Sequence, residues 1–250
     1  MNITVWNENV HEKEIPRVTE VYPGGLHVFL ADVVKAEVGE GKLRTATLDD
    51  PDCGLPDEVL NDTDVLIWWG HCAHGRVPDE VVDRIYKRVL QGMGLIVLHS
   101  GHESKIFQKL MGTTCRLRWR DDTYERMLCC MPSHPIAQGL PEHFEIGVEE
   151  CYAEFFDIPE PDELIFLGWF DIGEAFRAGC TWHRGYGKIF YFQPGHETNQ
   201  SFHNPYVQQI IRNACRWAAP TASRTELWSA HIDPTLEDIR KGIAKPKEEK

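Results

Sequence analysis

The reading of the fold turns on Gly94-Leu95-Ile96-Val97-Leu98-His99-Ser100-Gly101-His102-Glu103-Ser104, an apolar run that stops abruptly at polar residues beside a glycine. Four large apolar side chains in a row, without alternation, suit a strand covered on both faces, as in a parallel sheet. Glycine just past such a strand lets the chain turn tightly into a helix. His99, Ser100 and His102 are therefore expected at the carboxyl edge of the sheet, where open α/β sheets bind ligands. Taken singly, each histidine is better explained by a solvated strand end. The flanking sequence decides between the two.

Upstream, Ile3 to Trp6 reads as a first strand ending in Asn7, Glu8 and Asn9, followed by a polar stretch with His11, Glu12 and Glu14. Pro23-Gly24-Gly25 opens a helix with Leu26, Phe29, Leu30, Val33 and Val34 at helical spacing, stopped by Gly39 and Gly41. Leu43 to Leu48 is a second strand. Asp64 to Trp69 is a third, running into Gly70-His71-Cys72-Ala73-His74. Pro78 starts a helix whose apolar face is Val81, Val82, Ile85 and Val89. This β-α-β-α-β order is the grammar of a parallel sheet.

Downstream, after a helix expected from Glu103 to Met111, the grammar changes. Arg126 to Met131, Phe144 to Val148, Leu164 to Phe170, Glu174 to Trp182 and Lys188 to Phe192 are strand-like, with no long helix among them. They are expected to form an antiparallel extension whose last strand returns to the main sheet. Asn204-Pro205 opens a final helix burying Val207, Ile210, Ile211, Ala214 and Trp217. Residues 1–219 thus read as one α/β domain. Residues 220–250 read as a polar carboxyl-terminal arm, docked through Trp228 or frayed, with a short helix from Asp233-Pro234 through Ile243.

The 250 residues, 42% of them hydrophobic, suffice for a sizeable core. A formal charge of −13 without a clustered basic face argues against nucleic acid and anionic membrane as partners. The amino terminus shows no basic-then-apolar leader, and no run of 18 apolar residues occurs, so a cytoplasmic protein is expected. Eight cysteines without a Cys-x-x-Cys pair read as reduced core thiols.

Three strand ends present histidine: His71 with His74, His99 with His102, and His196 in Gln193-Pro194-Gly195-His196-Glu197. If those strands are neighbours, their imidazoles converge on one crevice, suited to acid/base work or to zinc. No pair has a zinc-motif spacing, so the expectation is a site that requires no cofactor. The rival is zinc on His71, His99 and His196, with Glu103 and Glu197 orienting the imidazoles. At Glu149-Glu150, alternation turns one carboxylate outward and the other inward beside Tyr152, as a base or an acceptor for a sugar hydroxyl; a solvated edge pair accounts for the two acids equally well. Glu174 and Arg177 read as an ion pair across a hairpin. Trp6, Trp68, Trp69, Trp119, Tyr152, Trp169, Phe170 and Trp182 crowd near these ends, either as core or as a surface that stacks on sugar rings.

Several stretches together resemble the trehalose-utilisation (ThuA-like) family: Val5-Trp6-Asn7-Glu8, Tyr22-Pro23-Gly24-Gly25-Leu26-His27, Asp64 to His71, Gly94 to His102, His134-Pro135-Ile136-Ala137, Glu174-Ala175-Phe176-Arg177, and Gly187 to Glu197. The resemblance spans about residues 1 to 219, and an ordered set of this kind is specific where one piece is weak. It implies a class I glutamine amidotransferase-like, flavodoxin-like three-layer sandwich. It also implies a role in the use of trehalose or related disaccharides, often beside a sugar dehydrogenase. Amidotransferases of that fold carry a nucleophilic cysteine at the elbow and a later His-x-Glu. Here His99 stands in the cysteine's place and His196 is followed directly by Glu197, so glutamine hydrolysis is not expected.

The resulting expectation is acid/base chemistry on a disaccharide or keto-sugar by His99, His196 and Glu150. Trp6, Glu8, Trp69, His71, Ser100, His102, Trp119, Tyr152, Arg177 and Glu197 would contact substrate. The alternatives are a non-catalytic sugar-binding or scaffold partner of a sugar dehydrogenase, and a zinc-assisted hydrolase. The oligomeric state, including a homo-oligomer, stays open at this point.

Overall fold

The computed structural model describes residues 1–227 and 232–243; Trp228 and the charged terminal stretch from Lys245 lie outside them. The strands are β1 (Ile3–Asn7), β2 (Leu43–Thr47), β3 (Val65–Trp69), β4 (Gly94–Leu98), β5 (Arg118–Cys129), β6 (His143–Ala153), β7 (Glu163–Phe170), β8 (Ala175–Arg184) and β9 (Gly187–Phe192). They form one mixed sheet in the order β2-β1-β3-β4-β9-β8-β7-β5-β6. The first five in that order pair in parallel, and the last four join antiparallel from β9 outward.

Strands β1, β3 and β4 are buried at every position, so both faces are covered, as the unbroken apolar runs of β3 and β4 require. Helices α3 (Leu26–Val38) and α7 (Pro205–Ala218) pack on each other, as do α5 (Asp79–Gln91) and α6 (Lys105–Met111). On α5 the buried residues Val81, Val82, Ile85 and Val89 recur at helical spacing. Each such side chain contributes about 1.5–3 kcal/mol relative to its exposed state. No described helix is long and apolar enough to cross a membrane.

Local structure departs from the sequence reading at several places. The polar stretch after β1 folds into two short helices, His11–Glu14 and Pro16–Val21, which we label α1 and α2. Residues 99–103 form a 3-10 turn, and the helix proper starts only at Lys105, capped by the Ser104 hydroxyl accepting from the Phe107 amide. β5 begins at Arg118 rather than at Arg126, and register shifts between Arg120 and Thr123 and between Glu125 and Arg126 obscure its alternation. The helix near the carboxyl terminus spans only Leu236–Arg240 and is capped by Thr235, not by Asp233. Residues 224–225 lie on α5, with the Arg224 amide donating to the Gln91 carbonyl and the Gln91 side chain to the Thr225 carbonyl.

The turn after β4 is tight. An added Cβ on Gly101 would lie 3.0 Å from Val97 and 3.4 Å from Trp68. His99 occupies the left-handed region with φ 51°, a conformation that costs a non-glycine residue energy and persists where the surroundings fix it.

Candidate functional site

In the sheet order, β1, β3, β4 and β9 are consecutive neighbours. Their carboxyl ends therefore deliver His11, His71, His99 and His196 to one edge, with ring centroids 5.0 Å apart for His11 and His71, and 5.4 Å apart for both His71–His196 and His99–His196. A cleft of about 300 Å³ opens there, lined by His71, Ser100, His102, Glu103, Leu117, Trp119, Asp121, Glu150, Tyr152 and His196. A second hollow of about 280 Å³ shares Asp121, Glu150 and His196 with it. Ligand pockets for small molecules span about 300–1,000 Å³, so the combined space falls in the small-molecule range. Trp119 is 64% exposed at the mouth.

The loops that carry these side chains are fixed from below. Glu8 accepts from the Cys72 and Ala73 amides at 2.8 and 3.0 Å, and the Ser100 hydroxyl donates to the Gly70 carbonyl at 2.9 Å, so both hold the loop bearing His71. Trp69 donates its indole N–H to the Gly195 carbonyl at 3.0 Å. Glu149 accepts from the Gly195 and His196 amides at 2.8 and 3.2 Å, from Asn199 at 3.2 Å and from the Ser201 hydroxyl. The loop from Gly195 to Ser201 thus folds over Glu149, which is why both members of the Glu149-Glu150 pair are buried and neither faces solvent. Gly195 has φ 134°, and a Cβ there would sit 2.2 Å from Phe202.

His99 does not reach the cleft. It has no exposed surface, its Nδ1–H donates to the Gln193 carbonyl at 2.8 Å, and its Nε2 lies 3.0 Å from Glu150 Oε2 and 3.3 Å from the Tyr152 hydroxyl. Burial opposes charging of this imidazole, but the Glu150 carboxylate outweighs it and pushes His99 up to about 9. Burial likewise acts to raise Glu150, and His99 outweighs it, leaving the carboxyl below its usual range. The result is a buried imidazolium–carboxylate pair whose carboxylate faces the cleft. Burial pushes the Tyr152 hydroxyl well above its ordinary value, so it stays protonated.

His196 differs. Its Nδ1 accepts from the Thr198 amide at 3.3 Å, which leaves the proton on Nε2. Burial first, and then the His99 charge, hold it below the ordinary histidine value. His102 donates Nδ1–H to the Cys115 carbonyl at 2.7 Å, and burial pushes it down to about 3. Both imidazoles are therefore neutral on the cleft wall.

Other expected contacts fall elsewhere. Trp6 stacks on Trp68 with centroids 3.7 Å apart and donates to the Cys53 carbonyl, so it is core. Trp69 is fully buried. Arg177 is not paired with Glu174: its guanidinium forks onto Glu154 at 2.8 and 2.9 Å, while Glu174 takes Arg120. Neither Arg177 nor Glu154 lines the cleft. Glu8 and Glu197 lie behind its wall, and His74 sits in the 3-10 turn His74–Arg76. Two residues escaped the sequence reading as site residues. One is His11, whose only signal was its place just past β1. The other is Glu125, fully buried without a hydrogen-bond partner and pushed well above the carboxyl range by burial and then by Glu149.

The family model for ThuA, described as trehalose utilisation, matches residues 2–218. The chain belongs to the ThuA family. Solved structures similar to this ThuA chain include a ThuA-like protein from Parabacteroides merdae ATCC 43184, with TM-score 0.66 and 15% identity over 90% of this chain and 92% of that one. A ThuA-like protein from Bacteroides uniformis ATCC 8492 has TM-score 0.62 and 15% identity over 87% of this chain and 91% of that one. A cytoplasmic protein from Salmonella typhimurium has TM-score 0.63 and 12% identity over 88% and 100%. At these identities the likeness establishes the fold alone. No curated protein matches this ThuA chain.

Proposed function

We propose that this protein acts on a disaccharide or keto-sugar by proton transfer, with Glu150 as the base and His196 as the hydrogen-bond donor. The observation that carries this reading is the Glu150–His99 pair, an ionised carboxylate on the wall of a cleft of small-molecule size and held there by a buried imidazolium. A ketone makes the adjacent C–H acidic. Glu150 takes that proton, and the neutral Nε2–H of His196 bonds the oxygen on which charge develops. Where the deprotonated carbon bears a hydroxyl, passage of the hydroxyl proton to the enolate oxygen and return of a proton to the former carbonyl carbon move the ketone and give isomerisation; loss of an oxygen β to the ketone gives elimination. His99 is a positioning residue that acts through Glu150. Trp119 offers a ring face for stacking on sugar C–H groups.

Two further points support parts of the reading. Cys72 donates its thiol to Glu8, and burial pushes it up to about 12, while burial pushes Cys115 up to about 11, so neither supplies the thiolate that glutamine hydrolysis needs. The order β2-β1-β3-β4-β9 matches the 2-1-3-4-5 order of flavodoxin-like sheets, which supports that three-layer assignment.

Product analysis by NMR after incubation with trehalose and with its keto derivative tests the function. Turnover of the keto-sugar is expected, and Glu150→Gln and His196→Asn should each lower it by at least about 100-fold. Saturable binding without turnover would instead make the protein a sugar-binding partner of a dehydrogenase. Full activity in Glu150→Gln would remove Glu150 from the chemistry.

A further inference from the structure

Behind His71, away from the Glu150–His99 pair, three ligand atoms from distant parts of the chain converge. His11 stands on α1, His71 follows β3 and Glu197 follows β9. His11 Nδ1 lies 2.5 Å and His71 Nδ1 3.0 Å from the same Glu197 Oε1, and the two Nδ1 atoms are 3.2 Å apart. Each Nδ1 is within reach to donate to Glu197 Oε1, so a cation that took all three atoms as ligands would displace those protons. A triangle with these sides has a circumradius of about 1.7 Å, so a point about 2.0–2.1 Å from all three atoms exists just above their plane, the bond length of zinc to histidine nitrogen and carboxylate oxygen.

Glu197 supplies a second and independent observation. It is 1% exposed, and its Oε2 is buried with no hydrogen-bond partner, 3.7 Å from His196 Nδ1. A buried carboxylate with a bare oxygen is costly unless a cation sits nearby. The donor set also selects among cations. Two imidazoles and one carboxylate suit zinc and its transition-metal neighbours, whereas magnesium and calcium prefer all-oxygen sites. A second cluster, His71, Glu150 and His196, also brings three donors within reach of one another, but there His196 Nδ1 accepts from the Thr198 amide.

We propose that His11, His71 and Glu197 bind one divalent cation of the zinc class, beside the cleft that His71 helps to line. His11 and His71 retain partial exposure, with side chains 17% and 24% accessible, so a fourth position is left for water or a substrate oxygen. The site goes beyond the acid–base reading and stands independently of it.

The test uses the full chain stripped with a chelator and titrated with zinc alone, by calorimetry and by competition against a fluorescent chelator. One zinc per chain is expected. His11→Ala should weaken binding by at least about 100-fold, and Glu197→Gln should do the same. His183→Ala, which removes a surface histidine paired with Asp162, should bind as wild type. His11 is partly exposed on a four-residue helix, and circular dichroism checks that its removal spares the fold. Absence of binding overturns the proposal. So does stoichiometric binding that His11→Ala leaves intact, which would place the cation elsewhere. Because the readout is metal rather than turnover, either result leaves the function assigned to Glu150 to be judged on its own.

Discussion

Replacing Glu150 by glutamine leaves His99 fully buried with its hydrogen bond to Gln193 but without its counter-charge. In the native protein His99 is pushed up to about 9 from an ordinary 6.5. Without the carboxylate, burial dominates and the imidazole should titrate below 6.5. A drop of at least 2.5 pH units corresponds to about 3 kcal/mol of lost preference for the imidazolium. The assay is a pH titration of the histidine ring nitrogens by two-bond ¹⁵N–¹H NMR in wild type and E150Q. The wild-type His99 signal should stay charged through neutral pH and E150Q should show the neutral ring, with the Nδ1–H tautomer fixed by Gln193. A His99 midpoint unchanged near 9 in E150Q would refute the claim that the pair carries the shift.

Folding stability should follow two histidines in opposite directions. His99 is raised, so its contribution is complete below about 6.5 and is lost as pH rises through about 9, whereas His102 is lowered to about 3, so its contribution is complete above about 6.5 and is lost as pH falls toward 3. Urea melts should therefore place maximal stability near pH 6.5, and H102Q should flatten the acid limb; a stability maximum above pH 9 would contradict the His99 sign. Glu125→Gln replaces a carboxyl that the fold holds protonated with a neutral amide of the same shape, so it should raise stability at pH 7 by about 1 kcal/mol or more, a gain that vanishes below pH 4. Gly195→Ala drives a methyl into Phe202 at φ 134°, and thermal melts should show a loss of about 2–4 kcal/mol together with weaker sugar binding. Trp119→Ala should weaken sugar affinity about 2- to 13-fold with the fold intact, measured by calorimetry.

The parallel half of the sheet was legible because Val65–Trp69 and Gly94–Leu98 are apolar at every position, which only a doubly covered strand requires. Convergence of the histidines followed from it, since neighbouring parallel strands end at one edge. The antiparallel half was located but not bounded, because the register shifts in β5 break the alternation on which a strand start is read. At Glu149-Glu150, alternation predicts one carboxylate outward and one inward, whereas both are buried. It could not say that the chain from Gly195 to Ser201 returns to cover Glu149, a contact across 46 to 52 residues. His11 was seen in the polar stretch after β1 but not as a site residue, for a related reason. Its helix is four residues long and buries nothing, so no periodic pattern marks it, and its partners lie 60 and 186 residues away. Of the aromatic residues, sequence alone could not separate Trp6, stacked in the core, from Trp119, exposed at the cleft.

The measurement closest to the central claim is hydrogen exchange at the carbon beside the ketone of a keto-disaccharide, followed by NMR in deuterated water. It reports the proton abstraction assigned to Glu150 whether the enolate goes on to isomerisation or to elimination. The wild-type protein should catalyse deuterium incorporation well above buffer, and E150Q should lower that rate by at least about 100-fold. Exchange no faster than buffer with the wild-type protein, or the same rate in E150Q, would contradict it.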